Sequence, residues 1–408
     1  MSQGRNRLVR VAAVAATLAL VSAACGSNKK EAVSGGGAKT VKISLIAPLS
    51  GSLSNLGLGM RNSVDLAVKQ ANAANKVKGW RIVFDPEDDT ATANVGAQVA
   101  AKVASDAQVA GVVGTLNSSV AQQVQPILDK ANIVMISPAN TNPTLTQGAD
   151  PNNKQRPYRS YFRVATTDAI QGPFGADYAA KTLNAKKVAV IHDKKTYGQG
   201  LTDAFKTQFT KDGGQVLGTE TINPGDKDFS AVLSKIKPQN PDLIYYGGEF
   251  PEAAPLSQQA GQAGIKAPLF GGDGIYDDGY LQQGGRSGDL ATSVGAPADQ
   301  LDSAKKFIAD YNAAHYADKF SAYGAYAFDA ANVIIAALAK VLPGKSSIND
   351  TVRQAIITAV QDTRVSGVTG DVSFDRYGDT TSKVLTVYKV TNGAWKPEKT
   401  ADFAKSSS

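Results

Sequence analysis

Two stretches of this sequence share one pattern: residues 41–51 read VKISLIAPLSG, and residues 188–200 read VAVIHDKKTYGQG. Each begins with a short apolar run, which is typical of a buried strand, and continues into a loop that contains glycine. A helical pattern then follows in both, at Asn62–Ala73 and at Gly200–Lys211. A strand, loop and helix that recur this far apart predict two equivalent lobes.

Similar apolar runs recur along the chain and alternate with helical patterns. The further strand-like runs are Val109–Gly114, Ile133–Ser137, Leu243–Gly247 and Leu269–Gly271. The further helical patterns are Asn94–Ser105, Ala121–Lys130, Ala325–Leu342 and Val352–Val360, with closing strands at Val372–Phe374 and Val384–Val390. This alternation predicts an α/β fold in which helices flank mostly parallel sheets. In such sheets ligands bind in the loops beyond the carboxyl ends of the strands.

The N-terminus has the pattern of a secretory signal peptide. Three arginines and no acidic residue precede an apolar stretch, Val11–Ala24, which is shorter than a membrane span requires. Small residues then lead to Cys25, the single cysteine of the chain, and resemble the lipobox of bacterial lipoproteins. We therefore expect residues 1–24 to be removed and Cys25 to carry a lipid that holds the protein on the outer face of the cell membrane. The alternative is an ordinary signal peptide with a cysteine there by chance.

Composition limits the remaining function classes. Residues 25–39 are polar and rich in glycine, which predicts a flexible tether. Beyond residue 24, 40 basic residues face 36 acidic ones without a basic patch, so nothing favours a nucleic-acid partner. One cysteine excludes an intramolecular disulfide.

Catalytic and metal-binding patterns are missing from the sequence. The chain has two histidines, His192 and His315, and no Gly-x-Ser-x-Gly elbow. Gly57 and Gly59 lack the third glycine of a dinucleotide fingerprint, and so do Gly198 and Gly200. We expect no catalytic residue, no metal and no cofactor, and interpret His192 as a hydrogen-bonded residue at the start of a loop.

From Val41 to about Trp395 the order of segments resembles the leucine/isoleucine/valine-binding protein family. The matching stretches are IAPLSG (46–51), ISPANT (136–141), HDKKTYGQG (192–200), QAGQAG (259–264) and FDRYG (374–378). The resemblance implies a two-lobed type I periplasmic-binding-protein fold, joined by a hinge of several chain crossings. It implies lobe 1 at 40–165 and 296–367 and lobe 2 at 166–295 and 368–401. The crossings would lie near Val164–Thr167, Val294–Pro297 and Ser366–Gly370.

The same resemblance assigns ligand contacts. Ser118 matches a serine that meets a ligand carboxylate, and it opens a helical pattern whose N-terminus favours an anion. Ala139, through its backbone, and Thr141 match the next contacts, to the carboxylate and the ammonium. Tyr197 matches a tyrosine that closes over the ligand, and Asp273 stands where relatives have a glutamate that pairs with the ammonium.

Two positions depart from the family pattern. Leu56 stands where relatives place an aromatic residue of the side-chain pocket, and Glu249 stands where the leucine binder has a tyrosine. Either Glu249 points to solvent or to a cation across the cleft, or the ligand brings a donor to it. The paired cysteines of the family are replaced by Ala91 and Asn117. An amino-acid ligand is therefore expected, without strict leucine specificity.

The function implied by the resemblance is capture of an amino acid for an ABC importer. The lobes would close on the ligand, and the closed protein, expected to be a monomer, would dock on a membrane permease driven by its ATPase. Two other classes stay open. A sensory lipoprotein for amides or other small molecules would use the same fold, whereas a lipoprotein enzyme would need a nucleophile and base that the sequence lacks.

Overall fold

The computed structural model describes residues Ala38–Phe403. The predicted signal peptide, the predicted lipid attachment at Cys25 and the predicted tether up to residue 37 lie outside the described residues. The first strand begins at Lys39, so the last residue of the predicted tether belongs to the folded body.

The first lobe is built on a five-stranded parallel sheet with the order β2-β1-β3-β4-β5. Helices alternate with these strands because each apolar run is followed by an amphipathic segment that covers a face of the sheet. The strands are β1 Lys39–Ala47, β2 Trp80–Asp88, β3 Val109–Gly114, β4 Val134–Ser137 and β5 Tyr161–Arg163. The helices are α1 Ser54–Ala73, α2 Ala93–Ser105, α3 Ser118–Lys130 and α4 Thr144–Gln147.

The second lobe is built on a seven-stranded sheet with the order β14-β13-β10-β9-β8-β6-β7. Its strands β6 to β10 are parallel, whereas β13 and β14 pair antiparallel at one edge. The strands are β6 Lys187–His192, β7 Gln215–Thr221, β8 Leu243–Gly247, β9 Leu269–Gly271, β10 Leu290–Val294, β13 Val384–Thr391 and β14 Ala394–Asp402. The helices are α5 Asp168–Lys181, α6 Thr196–Lys211, α7 Ser230–Ile236, α8 Phe250–Gln262 and α9 Asp278–Gln282.

Three further helices return the chain to the first lobe. They are α10 Lys305–Ala313, α11 Gly324–Val341 and α12 Asp350–Gln361, and a small hairpin of β11 Arg364–Gly367 and β12 Gly370–Ser373 follows them. Helix α11 packs against α1 and β3. By length and composition α11 could cross a membrane, but most of it is buried in the protein, as is usual for an apolar core helix.

The chain passes between the two sheets three times: after β5, after β10, and between α12 and β13. Arg163, fully buried at the end of β5, forms an ion pair of 2.6 Å with Asp379, which lies before β13, and so ties the first crossing to the third. The predicted α/β class, two lobes with mostly parallel sheets and several crossings, is confirmed. The residue-level lobe boundaries stay a prediction.

Three glycines that the sequence places before the helical patterns, Gly57, Gly59 and Gly198, lie instead within the first two turns of α1 and α6. A Cβ added to Gly57 would come 1.9 Å from the carbonyl oxygen of Pro48, and one on Gly198 would come 2.4 Å from that of Gly247. The helices therefore begin earlier than predicted, because glycine lets their first turns press against the backbone that leaves a strand.

Candidate ligand-binding cleft

A cavity lies where loops from the carboxyl ends of both sheets face each other, which is the position that parallel sheets favour for ligands. The space that no atom fills amounts to about 300 Å³, part of it open to solvent. Its lining residues come from both lobes: Leu56, Leu116, Asn117, Ser118, Ala139, Tyr197, Glu249, Asp273, Gly274 and Tyr323. Six of the seven residues predicted to bind ligand are thus brought together, and the seventh, Thr141, is buried behind them.

A second cavity, of about 320 Å³, lies among the chain crossings and has different walls. Val164, Val294 and Tyr326 line it together with threonine and serine side chains that follow β12. None of the loops at the carboxyl ends of β3, β6, β8 or β9 contributes to it, so its geometry belongs to the hinge.

The first-lobe wall presents the N-terminus of α3. Ser118 is the first residue of this 13-residue helix, and its Oγ is buried with no hydrogen-bond partner among residues Ala38–Phe403. The partial positive charge of a helix N-terminus and a hydroxyl donor together favour an anion such as a carboxylate.

The backbone of Ala139 is oriented by the neighbouring strand end. Its N–H donates to Ser137 Oγ at 3.1 Å, so this donor is already used within the protein. Its carbonyl accepts no hydrogen bond from the described part of the chain. The group left for a ligand is an acceptor, which suits an ammonium and not the carboxylate that the resemblance implied.

Asp273 lies directly opposite, at the end of β9, and is 1% exposed. Its Oδ1 accepts from Gln171 Nε2 and from Tyr197 OH, each at 2.9 Å, and its Oδ2 accepts from Tyr323 OH at 2.8 Å. Within the described residues no lysine or arginine forms an ion pair with it. Burial raises the pKa of Asp273 above its usual value, although the three donors act in the opposite direction.

A second buried acid, Asp168, extends this side of the cleft. It opens α5, its N–H donates to the carbonyl of Thr141 at 2.8 Å, and the Thr141 hydroxyl lies beside its carboxyl group. Burial and the charge of Asp273 raise the pKa of Asp168 to about 8. Sequence analysis missed Asp168, Gln171 and Tyr323, because none of them belongs to the stretches that carry the family pattern.

Glu249 caps the start of α8 and is also buried, at 5% exposed. It accepts from Lys195 Nζ and from Asn117 Nδ2, each at 2.7 Å. Burial alone would raise its pKa, but the charge and hydrogen bond of Lys195 outweigh this, and the pKa of Glu249 is lowered. Glu249 therefore does not point to solvent, which was one of the alternatives from the sequence. Its cation, Lys195, comes from the same lobe and not from across the cleft. Its partner across the cleft is the amide of Asn117.

Other polar contacts hold the two sides together. Asn142 Nδ2 donates to the carbonyl of Thr196 at 2.7 Å, and Thr196 Oγ1 donates to Gln122 Oε1 at 2.9 Å. Together with the contacts from Asn117 to Glu249 and from Tyr323 to Asp273, they join the two sides of the cleft in this structure.

His192 behaves as predicted at the start of a loop. Its Nδ1 accepts from the N–H of Lys194 at 3.1 Å, and partial burial lowers its pKa. Asp193 beside it is buried, and burial together with the charge of Glu249 raises its pKa. These contacts orient the loop that carries Lys195 and Tyr197.

Comparisons with known proteins agree with this architecture. Residues 40–394 match the model of the periplasmic binding protein family. A Leu/Ile/Val-binding protein homologue of Brucella melitensis is 32% identical over 356 residues, which are 86% of this chain and 92% of that protein. A leucine-binding protein of Thermotoga maritima has a similar structure, with a TM-score of 0.79, 30% identity, and coverage of 89% of this chain and 99% of that one.

A branched-chain amino acid substrate-binding protein of Streptococcus pneumoniae, solved with isoleucine, is also similar. Its TM-score is 0.77 at 28% identity, over 89% of this chain and 99% of that one. The match to the family model covers both sheets except most of the edge strand β14, and it includes the three crossings and every residue of the cavity wall. This chain therefore belongs to the periplasmic binding protein family.

Proposed function

We propose that this protein is the extracytoplasmic solute-binding component of an ABC importer and that it captures an amino acid, branched-chain or related. The observation that carries the proposal is the polarity of the cavity. An unpaired hydroxyl at a helix N-terminus, Ser118, faces a buried carboxylate without a cation, Asp273. An α-amino acid carries the two complementary charges on groups that are bonded to the same carbon atom.

The cavity residues then have separate roles. Ser118 and the first amides of α3 bind the ligand carboxylate, while Asp273 and the carbonyl of Ala139 bind the ammonium. The hydroxyl of Thr141, which lies behind the cavity wall beside Asp168, would contact the ammonium once the ligand is bound. Charge-assisted hydrogen bonds contribute about 1.5–3 kcal/mol each, so a few of them reach micromolar affinity. Tyr197 covers the ligand, and Leu56 with Leu116 forms the apolar part of the wall.

Relatives support this proposal. The similar proteins carry names for binding leucine, isoleucine and valine, and one holds isoleucine. We propose that the lobes close on the ligand about the three crossings and that the closed form docks on a permease with its ATPase. Cys25 would anchor the chain to the membrane, and the protein would act as a monomer without catalytic activity.

Titration calorimetry of the purified protein with the twenty amino acids tests the proposal. We expect heat from at least one α-amino acid, and loss of that heat when its carboxylate is amidated, because Ser118 and α3 then lose their anion. A panel without any binding would refute amino-acid capture. In that case the alternative to test is a sensor of amides, by titration with small amides as ligands. A regulator gene next to the gene of this protein, in place of permease and ATPase genes, would support that alternative.

A further inference from the structure

We propose that the ligand side chain carries a neutral hydrogen-bond donor, a hydroxyl or a carboxamide N–H, which the Oδ1 atom of Asn117 accepts. Glu249 and Lys195 set this preference by fixing the orientation of the Asn117 amide. The inference rests on the proposed function, since it assumes an α-amino acid in the cleft. It names the class of amino acid.

The orientation of the amide follows from its neighbour. A carboxylate only accepts hydrogen bonds, so the group that Asn117 presents to Glu249 Oε1 at 2.7 Å must be its NH₂. The ion pair of 2.7 Å with Lys195 keeps Glu249 in the charged form, in agreement with its lowered pKa. The hydrogen bond to Glu249 therefore fixes which end of the amide is the NH₂ group. The carbonyl oxygen Oδ1 of Asn117 must point away from Glu249.

That carbonyl oxygen lacks a partner. Asn117 lines the cavity and is 4% exposed, and its Oδ1 accepts no hydrogen bond within Ala38–Phe403. An unpaired buried acceptor is unfavourable, and an aliphatic ligand side chain packed against it would leave it so. A hydroxyl or amide group on the ligand would complete the pair.

Charged side chains fit this end of the cavity less well. An acidic side chain would meet Glu249, which has the same sign, and a basic one would find that carboxylate already paired with Lys195. Leu56 and Leu116 line the same cavity, so the donor belongs on a side chain that is otherwise uncharged. Threonine, asparagine and glutamine combine these properties.

Pairs of amino acids with the same shape test the inference by titration calorimetry. Threonine has a hydroxyl where valine has a methyl group. Asparagine has the oxygen and the NH₂ of a carboxamide where leucine has two methyl groups. We expect the purified protein to bind the donor-bearing member of at least one pair about tenfold more tightly. If valine and leucine bind at least as tightly as threonine and asparagine, the inference is wrong while amino-acid capture stands. If no amino acid binds, the proposed function itself fails.

Variants locate the preference at Asn117. The readout is the affinity for the donor-bearing amino acid divided by the affinity for its apolar counterpart. The Asn117→Leu protein loses the acceptor, so this ratio should fall to one or below. The Glu249→Gln protein can donate as well as accept, which frees the Asn117 amide to turn, so its ratio should fall at least threefold. Because the readout is a ratio, a general loss of stability would not change it.

Gln122→Leu is the matched control, since it removes an amide that bonds across the cleft without lining the cavity. It should leave the ratio unchanged. An unchanged ratio in Glu249→Gln, or a preference of the unaltered protein for lysine, arginine or histidine, would also overturn the inference.

Discussion

Two buried carboxylates face the same cavity, Asp273 after β9 and Glu249 after β8, and they are held in opposite ways. Among the residues from Ala38 to Phe403, the hydrogen-bond donors to Asp273 are all neutral: two tyrosine hydroxyls and an amide. Glu249 accepts from the ammonium of Lys195 and from the amide of Asn117. Burial is almost equal, yet the pKa of Asp273 is raised and that of Glu249 is lowered.

The difference separates binding from architecture. A buried carboxylate without a counter-charge is unfavourable until a cation arrives, so Asp273 is arranged to bind one. Glu249 already has its cation, and its remaining role is to orient a neighbour. Neither role is visible from the residue type, because both residues are acids at strand ends.

The largest effect should come from removing the charge of Asp273. In the Asp273→Asn protein the ligand ammonium loses its buried counter-charge, and we expect the affinity for the bound amino acid to fall at least about 100-fold. Titration calorimetry measures this. Asp278→Asn, which removes a half-exposed acid of the same loop region, is the control and should bind normally. Normal binding by Asp273→Asn would contradict the view that Asp273, unlike Glu249, binds the ligand ammonium.

Removing Lys195, the cation that pairs with Glu249, should lower the stability of the fold more than it lowers ligand affinity. Lys195→Met leaves Glu249 buried without its counter-charge, and we expect the free energy of unfolding to fall by about 2–3 kcal/mol. Urea unfolding followed by circular dichroism measures this. The double variant Lys195→Met/Glu249→Gln should recover a large part of the loss. Equal losses in the single and double variants would show that the ion pair contributes nothing.

Asp168, a third buried acid near the cavity, should make the stability of the protein depend on pH. Its pKa is raised from 3.8 to about 8, so between these values the folded protein keeps a proton that the unfolded chain has released. The stabilising contribution is complete below about pH 4 and is lost as the pH rises toward 8. Asp168→Asn should make the fall of unfolding free energy between pH 6 and 8 shallower by about 1 kcal/mol per pH unit. Parallel slopes in the two proteins would contradict this.

The smallest effect should come from a contact outside the cavity. Thr196→Val removes the hydroxyl that donates to Gln122 across the cleft in an exposed position. Such bonds contribute little in water, so we expect less than about a threefold change in ligand affinity. A larger change would mean that contacts at the rim, and not the two buried acids, control closure.

Much of the framework could be predicted from sequence. Strands β3, β8 and β9 have the predicted bounds, because a short apolar run bounded by turn residues is typical of a buried strand. Strand β2 was missed because its second half is polar and only partly buried, and so was β14, an edge strand with exposed side chains. Helix α1 begins before its prediction because Gly57 packs closely against a strand end.

The sequence by itself determined the alternation of strands and helices and the two equivalent loops, since these depend on local pattern and chain order. The resemblance to a known family, and not a local pattern, indicated Ser118, Tyr197, Glu249 and Asp273 as residues of the cleft. Only the tertiary structure decided how the two acids differ. Tyr323 and Gln171 reach Asp273, and Asn117 reaches Glu249, from distant parts of the chain. The charge state of a buried group depends on all the neighbours that surround it in space, and no local pattern of residues specifies those neighbours.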